Sequence, residues 1–236
     1  MLSASEPIPR RKLSDEVFDR LKRMIMSGEV KPGQTLPSER DLMDRFGVGR
    51  PAIREAMQAL ANMGLISISH GERARVCQLT ARSITQQVDL TAQIMLATSP
   101  QSLDHLKGAR AFFERGMVRE AALRADRTDV DRLKDTIDRQ RGALGDADRF
   151  IAEDMRFHTE IATISGNPIF EAVSEALLGW LRSYHTELLI WSGKETLTLA
   201  EHAAILQAIE TRDPEAAERA MAQHLDRSAA LYVHPA

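Results

Sequence analysis

A chain of 236 residues is long enough for one large domain or two modest ones, and 43% hydrophobic with 28% charged residues excludes disorder at scale. No apolar run approaches the roughly 18 residues of a membrane-crossing helix, and the N-terminus lacks the apolar core of a secretion signal, so the expected location is the cytoplasm, away from membrane. The net charge of −3 is unevenly spread, with 13 Lys and Arg against 10 Asp and Glu up to Leu79 and 18 against 24 beyond it. A mildly basic N-terminal part suits phosphate, whereas the acidic remainder would be repelled by DNA unless held away from it. Cys77 is the single cysteine, which excludes an intrachain disulfide, and its apolar neighbours predict a small buried side chain.

Residues 1–12 carry Arg10, Arg11 and Lys12 and read as a flexible basic arm. Leu13, Val17, Leu21, Met24 and Ile25 then recur at helical spacing until Ser27 and Gly28, and Pro32-Gly33 forces a turn. From Pro37 to Met63 the pattern is two short helices. Ser38 is an N-cap candidate, Leu42 and Phe46 make one apolar spacing, and Gly47 stops it. Pro51 sits in the first turn of the next helix, whose stripe is Ile53, Met57, Leu60 and Ala61. Arg50 and Arg54 fall off that stripe. Two helices joined by a tight glycine turn form a helix-turn-helix, whose second helix presents its first residues to base edges; arginine there can take a guanine bidentately or hold a phosphate. A helical hairpin with solvated arginines is the alternative. Leu65, Ile66 and Ile68, the turn His70-Gly71-Glu72 and the return Arg73 to Val76 then predict a two-stranded wing.

A boundary falls near Gln78 to Ala81. Beyond it the apolar positions keep helical spacing through seven predicted helices: 80–97, 101–124, 128–144, 147–164, 168–190, 195–211 and 214–232. The expected class is therefore mostly α, with domains at 13–79 and 80–236. In the second, Asp154 and His158 are four residues apart and lean over one helix face. His202 and His224 each have apolar neighbours at three or four residues, which predicts that they face inward. One carboxylate and three imidazoles suit a borderline divalent ion, although spacing alone does not bring His202 and His224 to Asp154. Arg110 and Glu114 form another i, i+4 pair, either a structural salt bridge or part of a clamp for a carboxylate ligand.

The N-terminal motifs, Pro37-Ser38-Glu39-Arg40, Gly47-Val48-Gly49-Arg50 and Arg54-Glu55-Ala56, resemble the signature of the GntR superfamily of bacterial transcription regulators. That resemblance implies DNA contacts at Arg40, Arg50 and Arg54. It also implies a minor-groove probe at the wing tip, where His70-Gly71-Glu72-Arg73 replaces the commoner Gly-x-Gly-Thr and makes His70, Gly71 and Arg73 the candidates. The C-terminal part resembles the FCD ligand-sensing domain of the FadR branch, an antiparallel helical bundle. Its metal pattern falls on Asp154, His158, His202 and His224, implying zinc, with nickel as the alternative. Its effector arginine falls on Arg110, with Asn167 as a further candidate. Within the branch, His70 to Val76, Arg110 to Glu114, Gly166 to Phe170 and Ala176 to Leu181 resemble regulators of sialic acid catabolism. The expectation is thus a homodimeric repressor on double-stranded operator DNA, released by sialic acid or a related sugar or organic acid. A metal-dependent enzyme with a DNA-binding appendage and an effector-free architectural DNA protein are the rivals; the chain carries no His-Glu-x-x-His base to favour hydrolysis.

Overall fold

The computed structural model describes residues 11–69, 71–78, 80–182 and 194–229, without the side chains of residues 81, 82, 84–87 and 100. Contacts divide the chain into two compact units that meet between Ser83 and Ile84. The first contains α1 (Leu13–Met26), α2 (Glu39–Phe46), α3 (Arg50–Asn62) and the strands β1 (Ile66–Ser67) and β2 (Arg75–Val76). Ser38 caps α2 in a reciprocal box with Asp41, and Gly47 ends it in the left-handed region at φ 66°, where a glycine carries no Cβ penalty. The wing pairs Ile66 with Val76 and Ser67 with Arg75, antiparallel. Thr35 adds a bridge to Arg75, and Gln34 accepts from the Val76 N–H, so the segment read as a simple turn also forms the other edge of the wing. Residues three and four apart on α1 and α3, together with Leu42 of α2 and the inward positions of the wing, meet in one core around Leu21, Leu36, Ile53 and Leu60. Leu13, expected on the buried stripe, is instead 64% exposed because it is the first residue of α1. Cys77 is half-buried rather than buried.

The second unit is helical: α4 (Ala81–Thr98), α5 (Pro100–Arg124), α6 (Arg127–Arg141), α7 (Ala147–Thr163), α8 (Pro168–Arg182), α9 (Glu195–Glu210) and α10 (Pro214–Ser228). The predicted ends at 183–190 and 230–232 lie outside the described residues, as do His70 and residues 1–10 of the arm. Aspartates at 126, 146 and 213 cap α6, α7 and α10 by accepting from the third backbone N–H of each helix. The long α5 packs against α7, α8, α9 and α10, while α6 packs on α7 and α9. Their shared core holds Val118, Leu133, Phe150, Phe157, Ile205 and Met221. No helix among the described residues is long and apolar enough to cross a membrane.

Candidate functional site

The first unit exposes the arginines that its sequence singled out. Arg50 and Arg54 stand one turn apart at the start of α3 and Arg40 near the start of α2, all exposed. Gly71 turns the wing at φ 77°, and Arg73 follows it, exposed on the return limb. Both α3 arginines are engaged by one carboxylate from α2. Arg54 Nε donates to Glu39 Oε1 at 2.9 Å and to Oε2 at 3.2 Å, and Arg50 Nε lies 3.6 Å from Oε2.

In the second unit, Asp154 and His158 on α7, His202 on α9 and His224 on α10 are all buried, and one ligand atom from each lies within 4.8 Å of the others. The Nε2 atoms of His158 and His224 are 3.2 Å apart. His202 Nε2 is 3.5 Å from Asp154 Oδ1, and His158 Nε2 is 3.9 Å from Oδ2. Ligand atoms bound tetrahedrally to zinc at its usual bond lengths sit about 3.3 Å apart, so these separations match what one ion needs. Phe157 stacks on the His202 ring at 4.1 Å between centroids and closes that side of the site.

The inward aim of the imidazoles is set by a surrounding layer of polar groups. His224 Nδ1 lies 2.8 Å from Glu201 Oε2, and the Arg227 guanidinium grips that carboxylate with Nε and Nη2, each at 2.6 Å. His158 Nδ1 lies 2.5 Å from Glu114 Oε2, while Arg110 Nε donates to Oε1 of the same carboxylate at 2.5 Å. Gln140 serves two ligands at once: its Oε1 is 2.8 Å from His202 Nδ1, and its Nε2 donates to Asp154 Oδ1 at 3.1 Å. An Nδ1–H tautomer, which Gln140 and Glu201 favour at His202 and His224 by accepting from it, leaves the Nε2 lone pairs of those rings facing the inward point that His158 Nε2 also approaches. Two lone pairs facing each other at 3.2 Å repel unless a proton or a cation lies between them, and His202 Nε2 has no hydrogen-bond partner among the described residues. Burial lowers the His202 pKa well below its ordinary value, and the neighbouring His224 and His158 lower it further. Burial also lowers His224, more than its bond to Glu201 raises it. The rings of His202 and His224 are thus favoured in the unprotonated form a metal requires. Burial works against ionising Glu114, yet Arg110 and His158 outweigh it and hold this carboxyl down to about 2. The donor set fits a divalent ion: one carboxylate, three imidazoles and two outer carboxylates each paired with an arginine.

Arg110 is buried beside this set and also lines a cavity with Lys107, Leu181, Leu225 and Asp226. Its pairing with Glu114 gives it a task in orienting His158, which the i, i+4 spacing did not reveal. Asn167 is half-buried and stays within its own turn, where its Oδ1 accepts from the Ile169 N–H at 3.0 Å. Sequence reasoning missed Gln140, Glu201 and Arg227 altogether. Arg227 lies 26 residues from Glu201 and Gln140 lies 62 from His202, so only the packing of α6, α9 and α10 brings them together.

Comparison with known proteins follows this division. Residues 13–76 match the model of the bacterial regulatory proteins of the gntR family, and residues 107–227 match the FCD domain. The chain is 41% identical over 225 residues to a protein of Cronobacter sakazakii named HTH-type transcriptional repressor NanR, covering 93% of this chain and 85% of that one. A protein of the same name from Escherichia coli is 38% identical over 230 residues, covering 97% and 87%. Among solved structures, a GntR protein of Streptococcus agalactiae shares the fold with a TM-score of 0.70 at 22% identity, covering 92% of this chain and 99% of that one. McbR/YncC of E. coli aligns with a TM-score of 0.51 at 19% identity, covering 94% and 97%.

Proposed function

The chain belongs to the GntR family of bacterial regulatory proteins and carries an FCD domain, so it is a DNA-binding transcription regulator and not an enzyme, and we propose that it is a homodimeric repressor of a catabolic operon, released from its operator by a carboxylate metabolite bound at a metal centre. The observation that carries this reading is the convergence of three buried imidazoles and Asp154 on one point. A divalent ion there, zinc or alternatively nickel, is left with one net positive charge after Asp154, because the Glu114–Arg110 and Glu201–Arg227 pairs cancel. A single carboxylate neutralises that charge, and the cavity that Arg110 and Lys107 line beside the site is where such a ligand would sit.

Repressor action is supported by the relatives named transcriptional repressor NanR. Sialic acid, or a related sugar acid, is supported by the resemblance of the wing and of Arg110 to Glu114 to regulators of sialic acid catabolism. Operator contacts fall to Arg40, Arg50, Arg54 and the wing, as the exposure of those arginines allows. Two half-sites need two wings. A second copy would cover apolar side chains that one copy leaves in water, including Phe112 at 87% exposure and Leu90 at 68%. Such a regulator works in the cytoplasm. A thermal-shift screen of sugar acids and organic acids against zinc-loaded and metal-stripped protein tests the proposal. A sugar acid that raises the melting temperature of the loaded form alone supports it. No shift with any acid, or equal shifts in both forms, overturns it.

A further inference from the structure

Glu39 is an anomaly on a surface meant for DNA. Its carboxylate is 32% exposed at the first position of α2, on the same face as Arg50 and Arg54, where it repels phosphate. Stability does not explain it, since an ion pair whose arginine is 65% exposed contributes little to folding. Its geometry does offer a reason. A guanidinium can meet a planar acceptor pair through its Nε edge or through its two Nη atoms. Glu39 takes the Nε of Arg54 with both of its oxygens, and among the described residues neither Nη atom of Arg54 has a partner. Gripped in this way, the side chain loses rotational freedom and presents its terminal edge, the one that matches O6 and N7 of guanine. Arg50, 3.6 Å from the same carboxylate, is held more loosely.

We propose that Glu39 is a specificity-determining residue: by holding Arg54 by its Nε it fixes the edge that reads a base, and it thereby increases discrimination between sequences while lowering affinity for DNA in general. This rests on the reading of Arg54 as a base contact. A freely rotating arginine can satisfy itself on any nearby phosphate, whereas a fixed one is favoured only by the base that fits it.

The test measures binding by fluorescence anisotropy, at one salt concentration, to two duplexes of equal length. One is selected from a random-sequence pool by the wild-type protein, and the other is unselected. Glu39→Gln keeps the shape and removes the charge. It is expected to bind the unselected duplex a few-fold more tightly and the selected one a few-fold more weakly, so that the ratio of the two affinities falls by roughly tenfold, the size of one bidentate base contact. In an Arg54→Ala background the same substitution should leave the ratio unchanged, because its effect acts through Arg54. A role confined to folding or net charge would move both affinities together and keep the ratio constant, which overturns the proposal. If Arg54→Ala lowers the ratio and Glu39→Gln does not, the base contact stands and the inference about Glu39 fails. If Arg54→Ala also leaves the ratio unchanged, Arg54 reads no base and both are overturned.

Discussion

Replacing Gln140 by methionine keeps a side chain of similar length in the core but removes two hydrogen bonds, to His202 Nδ1 at 2.8 Å and from Nε2 to Asp154 Oδ1 at 3.1 Å. Gln140 and His202 are wholly buried and Asp154 is 9% exposed, so water does not readily replace either bond. Each polar group left unsatisfied costs about 1–3 kcal/mol, and most of that cost falls on the stripped and the metal-loaded protein alike. The difference between the two forms is what isolates orientation. Without Gln140, His202 can swap its tautomer and Asp154 can turn away, and loss of such outer partners typically weakens a metal site about 10–100-fold. By linkage the loaded protein should lose about 1.4–2.7 kcal/mol more than the stripped one, since each tenfold in affinity is about 1.4 kcal/mol. Zinc competition against a chromophoric chelator reads the affinity, and chemical denaturation of both forms reads the difference. Equal destabilisation of the two forms with unchanged zinc affinity would refute the orienting role and leave Gln140 as a packing residue.

Arg50→Ala and Arg54→Ala should each lower operator affinity by roughly 1–3 kcal/mol without altering the melting temperature; tight binding by both variants in a gel-shift titration moves the reading helix elsewhere. Metal-stripped protein should lose stability as pH falls below 6.5, the ordinary histidine value. The unfolded chain protonates there while His202 and His224, with lowered values, stay neutral, so unfolding takes up protons. Glu114 adds a further loss between 4.5 and about 2, because its carboxylate is favoured only in the folded protein. Flat stability from pH 7.5 to 5.5 would contradict the buried neutral histidines. Light scattering at micromolar concentration should give twice the 26.3 kDa of one chain; a monomer, with or without DNA, contradicts the two-half-site reading.

The helices announced themselves because their determinants are local. Val17, Leu21 and Met24 on α1 and Ile53, Met57 and Leu60 on α3 recur at three and four residues and are buried as that spacing predicts. Ser38 and Gly47 carry the start and stop of α2 in their own chemistry. The wing was readable as a hairpin, but its third edge at Thr35 was not, since a single bridge between residues 35 and 75 leaves no periodic trace. At the candidate metal centre the site residues were partly visible: Asp154 and His158 share a helix face, whereas His202 and His224 came to it only through a family pattern. The groups that aim those ligands were invisible. A glutamine on α6 and a carboxylate on α9 look like any polar helix residue until packing sets them against an imidazole, and the pairing of Arg110 with Glu114 conceals that the same carboxylate reaches His158. The sharing of Glu39 between Arg50 and Arg54 is a contact across the helix-turn-helix, which no spacing rule for a single helix describes.

Release from an operator by a bound metabolite requires coupling between the candidate metal centre and DNA binding. Anisotropy of protein bound to its selected duplex, followed during titration with sialic acid, measures that coupling when run on zinc-loaded wild type, on metal-stripped wild type and on His224→Ala. Effector can shift DNA binding only by its differential affinity for the released and the bound form, and in the proposed function that difference comes from an ion that Asp154, His158, His202 and His224 would hold. Release of the loaded wild type, with little or none from the other two, is the result predicted. Release at the same concentration in all three would place the effector away from the metal and contradict the account.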